Sequence, residues 1–334
     1  MSKRRFFTSV GKIFLSGILA FIILTGFCYF YYNVPVHSVA VDGVTDYRWE
    51  PGVFYSRGTE GFAWGKTNNE GYINLYDFTG KEQIDILIMG SSHMEAYQVA
   101  ANESVASRLD EMLPNDRVYN IGVSGHSFLT CAGNLEAAIN KYRPSKYVII
   151  ETNNVIFDNA DLSKAIDGNI EEVPSHTGGM IGFLQKNQYL RLIYSQLQNY
   201  RKKAAAVDLE ENSAVIADNS TSNGAALDIL LSKLNNISLN GNVQLIILYH
   251  PNVKIDTDGS LQILGDLNSV ARFEKSCRDN NILFLDMSER FLQEYESGYV
   301  LPYGFANSTV GSGHLNRYGH AMIADALYEL MGGE

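Results

Sequence analysis

The chain has 334 residues, enough for one large domain with appendages or two small ones. Its 46% hydrophobic and 19% charged residues exclude a disordered chain. The formal net charge is −11, and setting aside the four positive charges of Lys3, Arg4, Arg5 and Lys12 takes it to −15, so the main body repels phosphate backbones and nucleic acid is excluded as a partner.

Those four basic residues precede a run from Ile13 to Tyr32 whose only ionisable side chains are Cys28 and the tyrosines. Twenty such residues suffice to span a bilayer. No acid appears before Asp42, so the positive-inside rule puts residues 1–12 in the cytoplasm, residues 13–32 across the membrane and the rest outside. A cleaved signal peptide would have a shorter apolar region and a small-residue site close behind it. Here the nearest tolerable site, Ser38-Val39-Ala40, lies well beyond Tyr32, and Tyr29-Phe30-Tyr31-Tyr32 reads as an interfacial belt. An uncleaved anchor is expected. Phe27 before Cys28 is a poor lipidation site, and Cys131 and Cys277 read as buried free thiols.

Residues 33–80 are rich in Gly, Tyr, Asn and Asp, and read as an extension laid on the main domain. Its short strands or extended loops fall at Phe54-Tyr55, Phe62-Ala63-Trp64 and Tyr72-Ile73-Asn74-Leu75. The main domain, 81–334, alternates apolar strands with helices. Strands are expected at 84–90, 118–123, 147–152, 243–250 and 282–287, and helices at 94–113, 129–142, 225–239, 265–280 and 316–331. Continuous apolar strands separated by helices predict a five-stranded parallel sheet covered on both faces, a three-layer α/β/α sandwich. An insertion at about 158–222 breaks the rhythm. Leu190, Ile193, Tyr194 and Leu197 mark an amphipathic helix within it, between polar flanks expected to be mobile. It follows the third strand, so it either caps the site or packs on the rim.

Ligands of open α/β sheets bind at the carboxyl ends of the strands. Those ends carry Gly90-Ser91-Ser92-His93, Gly122-Val123-Ser124-Gly125-His126 and Glu151-Thr152-Asn153-Asn154, and a loop Gly313-His314-Leu315-Asn316 follows near the C-terminus. Ser92, on a turn between a buried strand and a helix, is placed to attack a carbonyl, with the helix N-terminus favouring the developing charge. Acyl transfer through a serine needs a base, donors for the oxyanion and a group that orients the base. His314 supplies the base. The N–H groups of Ser92 and Gly125 and the side-chain amide of Asn153 or Asn154 supply the donors.

The set Gly90-Ser91-Ser92-His93, Asn120-x-Gly122-x-Ser124-Gly125, an Asn after the third strand and Gly313-His314-Leu-Asn-x-x-Gly-His320 resembles the SGNH/GDSL hydrolase superfamily. The resemblance runs from about Ile84 to Leu330 outside the insertion. It implies a flavodoxin-like sandwich, Ser92 as nucleophile, Gly125 and an Asn as oxyanion donors, and His314 as base. Three departures stand out. Ser91 replaces the usual acid before the nucleophile, and the third block lacks its usual form, so Asn153 and Asn154 both remain candidates. Gly311 occupies the position, three before the histidine, where the family commonly carries its triad acid. A Ser–His dyad is therefore expected, with a backbone carbonyl near Gly311 orienting His314; Asp286 is an outside candidate for the acid.

His93 and His126 are possible substrate contacts, while His250 and His320 read as structural. The seven histidines show no metal-binding spacing and no phosphate-binding loop follows Gly90, so neither metal nor cofactor is expected. The function these features suggest is a membrane-anchored, extracytoplasmic serine esterase that removes O-acyl groups, acetyl above all, from a cell-surface glycan. An O-acyltransferase built on the same pair, a lysophospholipid esterase and a catalytically degenerate glycan-binding protein are the alternatives. The oligomeric state is not encoded in any feature of the sequence.

Overall fold

In the computed structural model, residues 3–39, 43–45, 47–168, 186–207 and 222–332 are described. Helix α1 (Lys3–Tyr31) runs directly into a short strand, β1 (Tyr32–Asn33). A ribbon of β2 (His37–Val39) and β3 (Tyr47–Trp49) follows. Next comes a hairpin of β4 (Phe54–Arg57) and β5 (Ala63–Lys66), and β1 pairs with β4 to make a three-stranded antiparallel sheet.

The main sheet is built from β6 (Ile86–Met89), β7 (Val118–Asn120), β8 (Tyr147–Thr152), β9 (Gln244–Tyr249) and a last strand at Leu283–Asp286. All pairings are parallel, and counted among themselves these strands lie in the order 2-1-3-4-5. This is the flavodoxin-like arrangement. The chain leaves the first strand to one side and returns to the other, so the crevice for a ligand opens beyond the carboxyl ends of β6 and β8.

The apolar runs are continuous because both faces of the sheet are covered. Leu87, Met89, Val148, Ile150, Leu245 and Ile247 point into one core layer with Leu135, Leu234 and Phe273. Ile86, Ile88, Ile149 and Ile246 point into the other, with Leu109, Phe291, Ile323 and Leu327. Burying each such side chain contributes about 1.5–3 kcal/mol. The helices start where side-chain caps are available: Ser127 accepts from the Thr130 N–H and Asn316 from those of Tyr318 and Gly319.

The structure departs from these expectations in several places. The helix expected at 94–113 is split: α2 (Ser92–Glu95) ends at Ala96 in the left-handed region (φ 60°), and α3 (Val105–Met112) starts afresh from the Ser104 cap. A four-residue helix carries little macrodipole, so its electrostatic help to Ser92 is correspondingly small. The flank after residue 158 is not a polar tether at its start; Asn159–Asp167 is a helix with Leu162 and Ala165 buried in the core. Of the flanks expected to be mobile, 158–179 and 204–224, residues 169–179 and 208–221 lie outside the described residues, while 204–207 and 222–224 belong to helices. The sequence reading also missed a hairpin, Asn252–Ile255 with Leu261–Leu264, and a helix, Ser288–Gly298. The turn pair Asp258-Gly259 and the spacing of Phe291, Leu292 and Tyr295 were the signals for them.

The insertion's amphipathic helix spans Gln188–Val207 and packs against α1. The Tyr189 ring meets Phe21 edge-on at 6.0 Å, and Asn187 Nδ2 donates to Thr25 Oγ1 at 3.2 Å. Its main contacts are with α1 and β1, Gln188 Nε2 donating to Asn33 Oδ1 at 3.2 Å, rather than over Ser92. Cys28, Cys131 and Cys277 are all buried free thiols.

Candidate active site

Ser92 opens α2 at the end of β6, and Ser91 before it caps the turn. The Ser91 side chain accepts from the His93 N–H at 3.3 Å, while its own N–H donates to Glu151 Oε2 at 2.7 Å. Glu151 ends β8 fully buried, and its other oxygen meets His250 Nε2 at 2.6 Å. Burial pushes the Glu151 carboxyl up, but the hydrogen bond and charge of His250 outweigh it and hold the pKa at about 2. His250 Nδ1 in turn lies 2.7 Å from the Tyr303 hydroxyl. An ionised carboxylate beneath the Ser91-Ser92 turn thus fixes the Ser91 backbone.

The loop carrying the histidine comes from the other end of the chain. Tyr303 bridges to Leu315, and Asn316 Nδ2 donates to the carbonyls of Leu301 and Gly304 at 2.8 and 3.1 Å. His314 Nε2 stands 2.9 Å from Ser92 Oγ. Its Nδ1 is 2.9 Å from Glu60 Oε2, and its backbone N–H donates to Glu60 Oε1 at 3.0 Å. The partner of His314 Nδ1 is therefore neither a carbonyl near Gly311 nor Asp286. Asp286 accepts from the backbone N–H and hydroxyl of Ser288 at the start of the following helix, and the Gly311 N–H donates to the Tyr303 carbonyl. Glu60 comes instead from the turn of the β4–β5 hairpin, 254 residues away in sequence.

Burial pushes the Glu60 carboxyl up. The hydrogen bonds and charge of His314, and then Arg57 at 3.5 Å, more than reverse this and hold the pKa at about 2. An ionised carboxylate only accepts hydrogen bonds, so the His314 Nδ1 carries the proton and Nε2 is left to accept from the Ser92 hydroxyl. Gly313 permits the close approach: its φ is +91°, and a Cβ there would lie 2.6 Å from Glu60 Oε1.

The histidines singled out beside the site are both buried. Burial, with His250 alongside, holds His93 at about 3, and its Nδ1 accepts from the Leu315 N–H at 3.3 Å. His93 thus supports the histidine loop from below. His126 Nε2 lies 3.1 Å from Thr45 Oγ1, yet its ring borders a cavity. That cavity, about 410 Å³, is lined by Ser91, Ser127, Thr152, Asn153, Asp158 and Asp161 among others. His320 is fully buried, which lowers its pKa to about 3, and it is remote from solvent.

Gly125 adopts φ +95°, and the loop before it is held by buried Glu95, which accepts from the Ser124 N–H at 3.2 Å and from the Ser124 hydroxyl. Among the described residues neither the Ser92 nor the Gly125 N–H is engaged within the protein. The two asparagines differ. Asn154 closes a turn with Ile156, donating to its carbonyl at 2.8 Å and accepting from its N–H at 3.0 Å. Asn153 is exposed on the cavity wall.

No protein-family model matches the sequence, and no curated protein matches it. Among solved structures, the acetyl xylan esterase AlAXEase is similar with a TM-score of 0.43 and 14% identity, over 74% of this chain and 99% of that one. The esterase EstA from Pseudoalteromonas sp., in a form inhibited by monoethylphosphonate, gives a TM-score of 0.37 and 14% identity over 74% and 96% of the two chains. A member of the lipolytic G-D-S-L family from Veillonella parvula DSM 2008 gives 0.39 and 14% over 74% and 97%. The sheet and the four sequence blocks resemble those of the SGNH/GDSL hydrolases. Glu60 lies outside all four blocks, in the extension that precedes them.

The buried pair beneath the Ser91-Ser92 turn has a measurable consequence. His250→Ala leaves the buried Glu151 carboxylate with the Ser91 N–H but without its histidine partner, which is expected to destabilise the fold by about 1–3 kcal/mol. Thermal unfolding of the purified variant checks this; an unchanged Tm contradicts it. The pH dependence has a definite sign. Glu60 and Glu151 are lowered to about 2 in the folded chain, against about 4.3 unfolded. Their stabilising contribution is present above the unfolded value and lost as pH falls towards 2.

Proposed function

We propose that this protein is a serine esterase of the SGNH/GDSL type, working through an acyl-enzyme on Ser92. The observation that carries the reading is the continuous hydrogen-bonded line Ser92 Oγ, His314 Nε2, His314 Nδ1, Glu60 Oε2, with both links at 2.9 Å. In this mechanism the Ser92 oxygen attacks the ester carbonyl carbon and its proton passes to His314 Nε2. Glu60 stabilises the imidazolium. The Ser92 and Gly125 N–H groups and the Asn153 amide hold the oxyanion, Asn154 being committed to its turn. Collapse breaks the ester C–O bond, and the leaving alcohol takes the proton from Nε2. Water then repeats the sequence against the acyl-enzyme, activated by the same imidazole, and releases the acid.

The substrate class we infer is an O-acylated, hydroxyl-rich molecule, foremost an acetylated cell-surface glycan. The cavity beside Ser91 supports it, because hydroxyl, amide and carboxylate side chains line it together with Phe128, Leu129, Ile156 and Phe157. Location outside the membrane is part of the same proposal. Residues Phe7–Tyr31 form one helix long and apolar enough to cross a bilayer, and its side chains are largely exposed. Tyr29, Phe30 and Tyr31 make hydrogen bonds to the hairpin that carries Glu60, which favours an anchor that stays attached over a leader that is removed.

The test is hydrolysis of a chromogenic acetyl ester and of an acetylated polysaccharide by the purified full chain. Release of free acetate is expected. Recovery of acetylated acceptor instead of acetate assigns transfer to a sugar hydroxyl, and no turnover of either substrate contradicts an enzyme.

A further inference from the structure

The last turn of α1 has no helical partners for its final carbonyls, as at every helix end. Here the acceptors are taken up by the β4–β5 hairpin. Ser56 Oγ donates to the Tyr29 carbonyl at 3.1 Å, Trp64 Nε1 to Phe30 at 2.9 Å and the Gly58 N–H to Tyr31 at 2.7 Å. Strand β1, continuous with the helix, pairs with β4 through Tyr32–Arg57 and Asn33–Ser56. The Asn33 N–H donates to Ser56 Oγ at 2.9 Å and Asn33 Nδ2 to the Phe54 carbonyl at 2.8 Å. From Tyr29 to Asn33, then, the end of the helix is bonded to both arms of one hairpin.

That hairpin's turn carries Glu60. On its far side, Asn307 Nδ2 clamps the turn by donating to the carbonyls of Gly58 and Gly61 at 2.8 and 2.6 Å. Asn307 belongs to the loop that leads to His314. The carboxylate is thus held between two supports, the outer end of α1 and the histidine loop itself. Arg57, paired with Glu60 and stacked over the rings of Tyr32 and Tyr97 at 5.9 and 5.5 Å, ties the first support to the acid.

We propose that the outer end of α1 is a positioning element of the active site: its terminal carbonyls hold the hairpin so that Glu60 reaches His314. An anchoring helix would need only a tether to the domain. This one supplies acceptors to the element that bears the acid, so the site is complete only while residues 29–33 remain in place. Ser56, Gly58 and Trp64 are the positioning residues. The inference rests on Ser92, His314 and Glu60 acting together, as proposed above.

The experiment is a double-mutant cycle on the full chain in detergent micelles, with a chromogenic acetyl ester. Gly58→Ala puts a Cβ 2.5 Å from the Tyr31 ring, and Trp64→Phe removes the indole donor to Phe30. Gly58→Ala is expected to lower kcat about tenfold or more with KM within about twofold, and Trp64→Phe to lower kcat about threefold. In a Glu60→Gln background neither is expected to lower kcat further, because the group they position is already gone. If Gly58→Ala fails to fold, Trp64→Phe and Ser56→Ala carry the cycle. Wild-type kcat in the folded variants, or the same fold loss in both backgrounds, overturns the proposal. Turnover retained by Ser92→Ala instead removes the catalytic reading beneath it, so the two failures are separable.

Discussion

Ser92→Ala is expected to lower kcat/KM for an acetyl ester by about 10⁴-fold or more, leaving the residual rate that oxyanion donors and binding supply without a nucleophile. The argument is local. Among the described residues, Ser92 is the hydroxyl on His314 Nε2, at 2.9 Å, and Ser91 beside it is turned away to cap α2. Ser91→Ala makes the control: it forfeits a capping interaction of about 0.5–2 kcal/mol but no nucleophile. Steady-state kinetics on both variants separates the roles. Comparable losses from the two, or retained turnover in Ser92→Ala, contradict the assignment.

Glu60→Gln is expected to lower kcat by about 10³–10⁴-fold while KM changes little. Glu60 touches the imidazole and does not line the cavity beside Ser91, so its contribution in the proposed mechanism falls on the step in which the imidazolium forms. The carboxylate accepts from both the ring Nδ1 and the backbone N–H of His314. Glutamine keeps the size of the side chain but removes the charge, and its NH₂ group can face Nδ1 and favour the wrong tautomer. Glu60→Asp retracts the carboxylate by one methylene and tests reach rather than charge. A Glu60→Gln enzyme within about threefold of wild type is incompatible with the mechanism.

The proposed nucleophile and base were legible because each sits at the edge of a regular element. The apolar run ending at Met89 and the block Gly313-His314-Leu315-Asn316 carry local signals, and the sheet supplies a rule for where strand ends converge. The acid was not legible. Glu60 stands between Gly58 and Gly61 in a stretch without periodicity, and its partner is fixed by tertiary packing of two distant loops. With Gly311 in the expected position, the sequence reads as a dyad. In the folded chain Glu60, from the opposite end of the sequence, stands on His314 Nδ1, and we propose it as the acid.

The remaining departures have similar causes. Val99 to Glu103 has helix-compatible composition, yet Ala96 turns left-handed and Ser104 starts a new helix, a tertiary override of propensity. Asn153 and Asn154 are equivalent as sequence; the Asx-type turn with Ile156 separates them. His93 reads as a substrate contact from its position beside Ser92, but the alternation of the turn sends its side chain under the histidine loop.

The most direct measurement of the central claim is covalent labelling of the purified full chain with a phosphonate ester, read by intact mass and peptide mapping. A serine activated by His314 and Glu60 attacks phosphorus, its proton passes through His314 to the alcohol displaced as the ester P–O bond breaks, and the phosphonyl group stays on the serine oxygen. The account predicts one adduct per chain, on Ser92, absent in Ser92→Ala and formed far more slowly in Glu60→Gln. No adduct on the folded wild-type protein, or an adduct on a different serine, would contradict it.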